Sequence, residues 1–421
     1  TASAQLITGA PSVQTGNVGY GQATLSLPSL TYPTVAAKSS TIQILPNVHI
    51  TDTGAATQWS NGWTGSGQTI SVIDDFSTAN INSRLEATVS REVKQTIIGG
   101  GGAVSTANYD VTYVVDQATT HGALTANIAG GDGNLTPSTQ TVFLNAIRAT
   151  QTSCDQVSCA APTVYESSFF TDDLDHRNLS VTWNKAAGVA KEASIVQNHV
   201  RLGSTSDPQG QLNTIISHMQ NSSNMSAINL SLGNSMPTGF TFEDLKAALT
   251  TNPLTNTYSS VIVISAGNNG AACTSSNLAQ CNGLAGALVL TETTKENTIV
   301  AGATSGSGAS EAIASYSNRA GAFAERYLMA PGGTGFKDSS TGNEITGTSF
   351  AAPRISGAAA LLRHKYPNLT GSQAASILLL TGNKDINNDG SDDFTGVSST
   401  YGHGKLDLNQ AMSPIGSLAI Q

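Results

Sequence analysis

The chain has 421 residues, only 11% of them charged, and a formal net charge of −9. An average globular protein is about 25% charged, so Ser, Thr, Asn and 42 glycines supply much of the surface here, a makeup that suits an exported protein. The acidic balance argues against nucleic acid and anionic membrane surfaces as partners, since both reward a basic patch, and no apolar run approaches the roughly 18 residues of a membrane span.

The chain opens on Thr1-Ala2-Ser3 without Met, which reads as a mature or trimmed form. Residues 1–54 read as an extended N-terminal arm. Up to residue 48 they carry one charge, Lys38, and four prolines (Pro11, Pro28, Pro33, Pro46), so edge-strand pairing is open to them. Residues 55–413 read as one domain, and 414–421 as a tail or linker. Within the domain, short apolar, β-branched runs recur at 69–73, 111–115, 142–147, 227–232, 261–265 and 298–302. Runs apolar on both faces predict strands of a buried parallel sheet. Helical segments such as Phe242–Leu249 lie between several of them, so the predicted fold class is α/β, a doubly wound, mostly parallel sheet with helices on both faces. Ligands of such sheets sit at the carboxyl ends of the strands. Two helices are predicted near the end, one after Gly347-Thr348-Ser349 and one capped by Thr370.

The four cysteines fall into local pairs, Cys154 with Cys159 and Cys273 with Cys281. Neither pair has C-x-x-C spacing or a nearby His, so zinc is not expected. Two short disulfides of an oxidising compartment fit the spacing, with four free thiols as the alternative.

Gly347-Thr348-Ser349-Phe350-Ala351-Ala352-Pro353 places a Ser where a loop turns into a helix. Small neighbours admit a substrate carbonyl, and the helix start offers unpaired N–H groups and a positive dipole end for a developing oxyanion. By itself a Ser there is an ordinary N-cap. The whole G-T-S-x-A-x-P string resembles the nucleophile motif of the subtilisin-like serine proteases. A serine nucleophile needs a base, and the base an orienting carboxylate. Of seven histidines, His121 alone stands just past an expected strand and opens a helical run, His121-Gly122-Ala123-Leu124-Thr125-Ala126-Asn127. This is similar to the family's H-G-T-H-V-A-G but departs from it at the Thr, the second His, the Val and the last Gly. His364 and His403 read as structural. Asp74 ends Val72-Ile73-Asp74 and is in register with the family's V-I-D-[ST]-G; Asp75 is a rival that reads as a solvated turn residue. The chain order Asp74, His121, Ser349 is the subtilisin order.

The resemblance implies further roles. Ala266-Gly267-Asn268 is similar to the family's A-G-N segment, which makes Asn268 the oxyanion donor. Ser231-Leu232-Gly233 and Ser265-Ala266-Gly267 match the two walls of the substrate cleft. Tyr327–Gly332 resembles the family's M-A-P-G turn, and Tyr401–Asp407 its closing Y-G-x-G-x-[LV]-[DN] segment. These landmarks span more than the family's usual core, so the resemblance implies inserted loops around 80–108, 149–210 and 270–295. The related sedolisins, with Glu for His and Asp at the oxyanion position, are set aside by His121 and Asn268. No folding prodomain of the family's kind is evident in residues 1–54. The closing segment 407–416 is similar to the junction of bacterial autotransporter passenger domains.

Asp385, Asn387, Asp389, Ser391 and Asp393, with Gly390 at the sixth position, resemble an EF-hand-type calcium loop, although Gly396 stands where the bidentate Glu belongs. A hydrated turn is the alternative. Any calcium is expected to be structural, and catalysis needs no cofactor. The expected protein is a secreted or cell-surface, monomeric serine endopeptidase acting on peptide or protein substrates. The alternatives are a catalytically silent, protease-like adhesin and acyl transfer to a non-water acceptor.

Overall fold

The computed structural model of the chain describes residues 53–77, 119–130, 188–201, 207–232, 242–251 and 259–413, and elsewhere only the backbone of certain strands. The central sheet is built from β1 (Thr69–Asp74), β2 (Ser194–His199), β3 (Ala227–Leu230), β4 (Val261–Ser265), β5 (Thr298–Ser305), β6 (Ala312–Ile313) and β7 (Tyr327–Pro331). Its order is β2-β1-β3-β4-β5, with β7 and the short β6 both pairing β5. Every pairing is parallel except β5 with β6. The chain leaves β1 for β2 on one side and returns to β3 on the other, so the sheet is doubly wound. Its registers bring the carboxyl ends of β1 and β3 together, with Leu230 opposite Ile73.

Successive strand residues enter different cores. Ile70, Val72, Val261, Val263, Ile299, Ala301, Leu328 and Ala330 pack on one face. Ile73, Ile228, Leu230, Ile262, Ile264, Val300 and Met329 pack on the other. This period of two with both faces apolar is what a sheet covered by helices on each side requires. Six helices concern the site: α1 (His121–Ala129), α2 (Pro208–Asn221), α3 (Phe242–Thr251), α4 (Leu278–Leu290), α5 (Thr348–Lys365) and α6 (Gly371–Leu380). Helices α5 and α6 supply the first face, and residues of α2, α3 and α4 the second. Thr370 and Gln373 form a reciprocal capping box at α6, as its sequence predicts. Helix α5 is buried from Thr348 to Leu362. Its small residues allow close approach: a Cβ on Gly357 would lie 2.4 Å from the Ala129 carbonyl oxygen of α1.

Two expected parallel strands are corrected. Residues 111–115 belong to Val104–Thr119, which pairs antiparallel with Ile81–Thr96 in a hairpin of two 16-residue strands. Val142 ends Ser138–Val142 and Ile147 opens Ile147–Cys154; both strands pair antiparallel and lie in different sheets, and residues 143–146 lie outside the described residues. The physical reason is legible in Leu85-Glu86-Ala87-Thr88-Val89-Ser90, which alternates apolar with polar as a strand covered on one face does. The expected insertions also hold regular structure: the first contains Ile81–Thr96 and the start of Val104–Thr119, the second β2, and the third α4. Tyr327–Pro331, expected as a turn, is a buried strand. In the N-terminal arm, Gln22–Ser26 pairs with Ser39–Gln43 and Leu179–Trp183, and Ser12–Val13 pairs with Ser90–Val89.

Candidate active site

Asp74 closes β1 with its side chain fully buried. A carboxylate there is costly unless its lone pairs are taken. Oδ1 accepts from His121 Nδ1 at 2.7 Å and from the Asp75 backbone N–H at 2.7 Å. Thr125 Oγ1 lies 3.1 Å from Oδ2 and 2.9 Å from the Gly122 carbonyl, and its single proton serves one at a time. Asp75 turns elsewhere: its Oδ1 accepts from the Ser77 N–H and hydroxyl and lies 3.7 Å from His199 Nδ1. The imidazole therefore faces Asp74 rather than its rival.

His121 is the first residue of α1, behind the N-cap Thr120, whose side chain accepts from the Ala123 N–H. Gly122 is needed beside it. Its N–H donates to the Asp75 carbonyl at 2.9 Å, and a Cβ there would stand 2.8 Å from both that oxygen and the Phe76 ring. Only glycine lets the helix start against the strand end. Burial pushes the His121 pKa down, but the Asp74 charge and hydrogen bond, with the Asp75 charge behind them, outweigh it and hold the pKa above its ordinary value. The ring packs on that of Phe350, centroid to centroid 5.5 Å, which puts it beside the residue after Ser349.

Ser349 is the second residue of α5 and is 7% exposed. Pro353, four residues on, has no N–H, so the helical bond to the Ser349 carbonyl is missing. Ser231 supplies the replacement, its Oγ donating to that carbonyl at 2.7 Å. In return Ser349 Oγ lies 3.4 Å from the Ser231 carbonyl. Among the described residues that carbonyl is the partner of its hydroxyl. Arg354, fully buried, donates from Nη1 to the carbonyls of Phe350 and Pro331 at 2.7 and 2.8 Å, and from Nη2 to that of Gly333 at 2.7 Å. It ties the first turn of α5 to the end of β7.

Asn268 follows β4 and is exposed. Its Oδ1 accepts from the backbone N–H of Thr348 at 2.9 Å and from its hydroxyl at 2.8 Å. With the oxygen so engaged, the amide has its N–H₂ left to donate. A Cβ on Gly347 would lie 3.5 Å from that nitrogen, so glycine keeps the ground before it open. Gly267 sits at φ +100°, where a Cβ would meet Asn318 Nδ2 at 2.5 Å and the Cys281 carbonyl at 2.6 Å. Its N–H reaches Thr348 Oγ1 at 3.2 Å. Of the two expected cleft walls, Ser231, Leu232, Ser265, Ala266 and Gly267 surround the start of α5, and the walls are joined by Ser265 Oγ donating to the Leu232 carbonyl at 3.0 Å. Gly233 lies outside the described residues.

A sequence model of the subtilase family matches residues 65–404, most of the chain. The chain belongs to the subtilase family. Among curated subtilases and relatives, it is 42% identical over 77 residues to the subtilisin-like protease SBT1.6 of Arabidopsis thaliana (17% of this chain, 10% of that one). It is 41% identical over 70 residues to the neisserial autotransporter lipoprotein NalP of Neisseria meningitidis (17% and 6%), and 36% identical over 90 residues to subtilisin DY of Bacillus licheniformis (21% and 29%). The matched stretches thus span a tenth or less of the first two relatives and under a third of the last. Among solved structures, MycP3 protease from the type VII (ESX-3) secretion system is 18% identical with a TM-score of 0.42, covering 94% of this chain and 93% of that one. A cold adapted subtilisin-like serine proteinase is 18% identical with a TM-score of 0.41, covering 82% and 89%.

Other expected sites of this subtilase fare differently. Cys273 and Cys281 form a disulfide; the pair at 154 and 159 lies outside the described side chains. In the 385–393 loop, Asp385 accepts from the N–H groups of Asp389 and Gly390, Asp389 from that of Ser391 and the Asn387 amide, and Asp393 from those of Ile386 and Asn387. Among the described residues no three His, Cys, Asp or Glu side chains converge as a metal site. His364 Nδ1 accepts from the N–H groups of Thr64 and Gly65 at 3.2 Å. His403 Nε2 lies 3.2 Å from the Glu325 carbonyl, and burial lowers its pKa. Both are structural. Sequence reading passed over Thr348, Thr125 and Arg354. The signal for Thr348 was present in G-T-S itself; the other two have no local signature.

Proposed function

We propose that this subtilase is a secreted serine endopeptidase in which Ser349 attacks the scissile carbonyl. His121 takes the Ser349 proton as the tetrahedral intermediate forms and gives it to the leaving amine as that intermediate collapses to the acyl-enzyme. Water, activated by the same imidazole, then releases the acid product. Asp74 fixes the Nδ1–H tautomer, leaving Nε2 as the base, and stabilises the imidazolium. Asn268 Nδ2 and the Ser349 N–H, at the positive end of α5, hold the oxyanion. The observation that carries this reading is the buried Asp74 carboxylate 2.7 Å from Nδ1 of an imidazole packed beside the Ser349 turn.

The test is a fluorophosphonate probe, followed by peptide mass mapping and an assay on an unstructured protein substrate. A single adduct on Ser349, absent from Ser349→Ala, together with cleavage of the substrate, supports the proposal. Folded protein that takes no adduct overturns it.

Export rests on the sparse charge, the Cys273–Cys281 disulfide and the partial likeness to a protein named an autotransporter lipoprotein. Cell-surface display is the form proposed, and protease shaving of intact producing cells checks it. A monomer acting on peptides or proteins is proposed, for light scattering to test. Among the described residues no helix is long and apolar enough to cross a membrane. Structural calcium enters only as a proposal from the ligand spacing of 385–393. The carboxylates of Asp385, Asp389 and Asp393 keep lone pairs beyond those their N–H donors take, and no hydrolytic step uses the ion.

A further inference from the structure

Helix α4 is broken at Asn282, whose backbone is non-helical at φ −155°, ψ 102°. The residue is fully buried, yet its carboxamide is saturated. Oδ1 accepts from the Ala285 N–H at 3.1 Å, which makes Asn282 the cap of the helix that resumes after the break. Nδ2 has two protons and spends both on the cleft: it donates to the Leu232 carbonyl at 2.9 Å and to the Ser265 carbonyl at 2.6 Å. One side chain thus ties together the two walls whose neighbouring residues, Ser231 and Gly267, meet the start of α5. The Ser265 hydroxyl adds a third tie, again to Leu232.

The chain just before Asn282 is itself pinned. Cys281 is bonded to Cys273, and its carbonyl accepts from Asn318 Nδ2 at 3.1 Å. The same nitrogen donates to the Ala266 carbonyl at 2.9 Å. The disulfide, the two buried amides and the wall 265–267 are therefore one connected frame. An amide in a dry interior holds such a frame firmly, because an unmade bond there is expensive.

We propose that Asn282 is a positioning residue that sets the spacing of the two cleft walls, and that it thereby decides which side chain is accepted before the scissile bond. The disulfide that closes immediately before it keeps it in place. The inference rests on the endopeptidase reading above. It assigns specificity to a side chain whose role is to hold walls rather than to touch substrate.

The test uses p-nitroanilide tetrapeptides that differ only in the residue before the scissile bond, Ala, Leu or Phe. Asn282→Asp keeps an oxygen to cap Ala285 but faces the two wall carbonyls with lone pairs. The spread of kcat/KM across the series is expected to contract about tenfold, through KM more than kcat. Ser265→Ala removes a single tie and is expected to contract it about threefold. The Cys273→Ser/Cys281→Ser pair is expected to act in the same direction as Asn282→Asp. A purely structural role would lower activity on all three substrates alike, and that result, or an unchanged spread in the folded variants, overturns the proposal. If Asn282→Asp does not fold, Ser265→Ala and the cysteine pair decide. Fluorophosphonate labelling of Ser349, run in parallel, separates the two failures. Wild type that takes no label sinks the protease reading, whereas labelled enzyme with an unchanged spread sinks only this inference.

Discussion

Asp74 and the aspartates of the 385–393 loop make opposite use of the same side chain. Asp74 ends β1 and is fully buried. Asp385, Asp389 and Asp393 stand in an exposed loop. In the loop every named carboxylate turns back on nearby backbone N–H groups, so the charge is spent on local turns. At the strand end a parallel sheet buries the backbone, and Asp74 reaches across 47 residues of sequence to His121. A carboxylate acts on another residue's proton when tertiary packing desolvates it and aims a lone pair outward.

The comparison can be broken at several points, beginning with the largest effect. Ser349→Ala sets the ceiling: kcat should fall about 10⁶-fold, the size of the loss when a subtilisin loses its nucleophile. Asp74→Asn should cost about 10⁴ in kcat with the fold retained, because the amide favours the wrong imidazole tautomer. Asn268→Ala should cost about 10²–10³ in kcat with KM little changed. Unchanged turnover there would reject the oxyanion role.

The pH profile comes next. With neutral His121 as the proposed base, activity should be lost as pH falls through its raised pKa. Asp75→Asn removes one of the charges that raise it, and the acid limb of kcat/KM should move to lower pH. A limb that moves up contradicts the sign. The smallest effect belongs to the loop. Asp385→Asn should leave turnover unchanged and shift Tm by no more than about 4 °C. If calcium raises the wild-type Tm and this variant loses the rise, the proposed ion is real; a wild-type Tm indifferent to both calcium and EGTA removes it.

How much was legible depended on where the cause lay. The strands at 69–73, 261–265 and 298–302 announced themselves because a sheet covered on both faces needs unbroken apolar runs. The run at 111–115 has the same look but lies in an antiparallel hairpin. Five residues are too few to show the alternation that its full 16-residue partner, Ile81–Thr96, displays. Asp74 and Asp75 are adjacent, and only packing shows that the first faces the imidazole while the second faces His199.

The candidates Asp74, His121 and Ser349, the glycines beside them and the Pro after the Ser were readable from sequence through their likeness to the family's motifs, because each motif is a short local string at a strand tip or a helix start. Tertiary structure alone decided what meets those groups. Ser231 takes the carbonyl that Pro353 frees, Thr348 aims the Asn268 amide, Arg354 anchors the turn, and Asn282 joins the walls. These partners lie 4 to 118 residues apart along the chain. A hydrogen bond is specified by distance and angle in space, and no local pattern encodes which distant carbonyl a buried amide or guanidinium will meet.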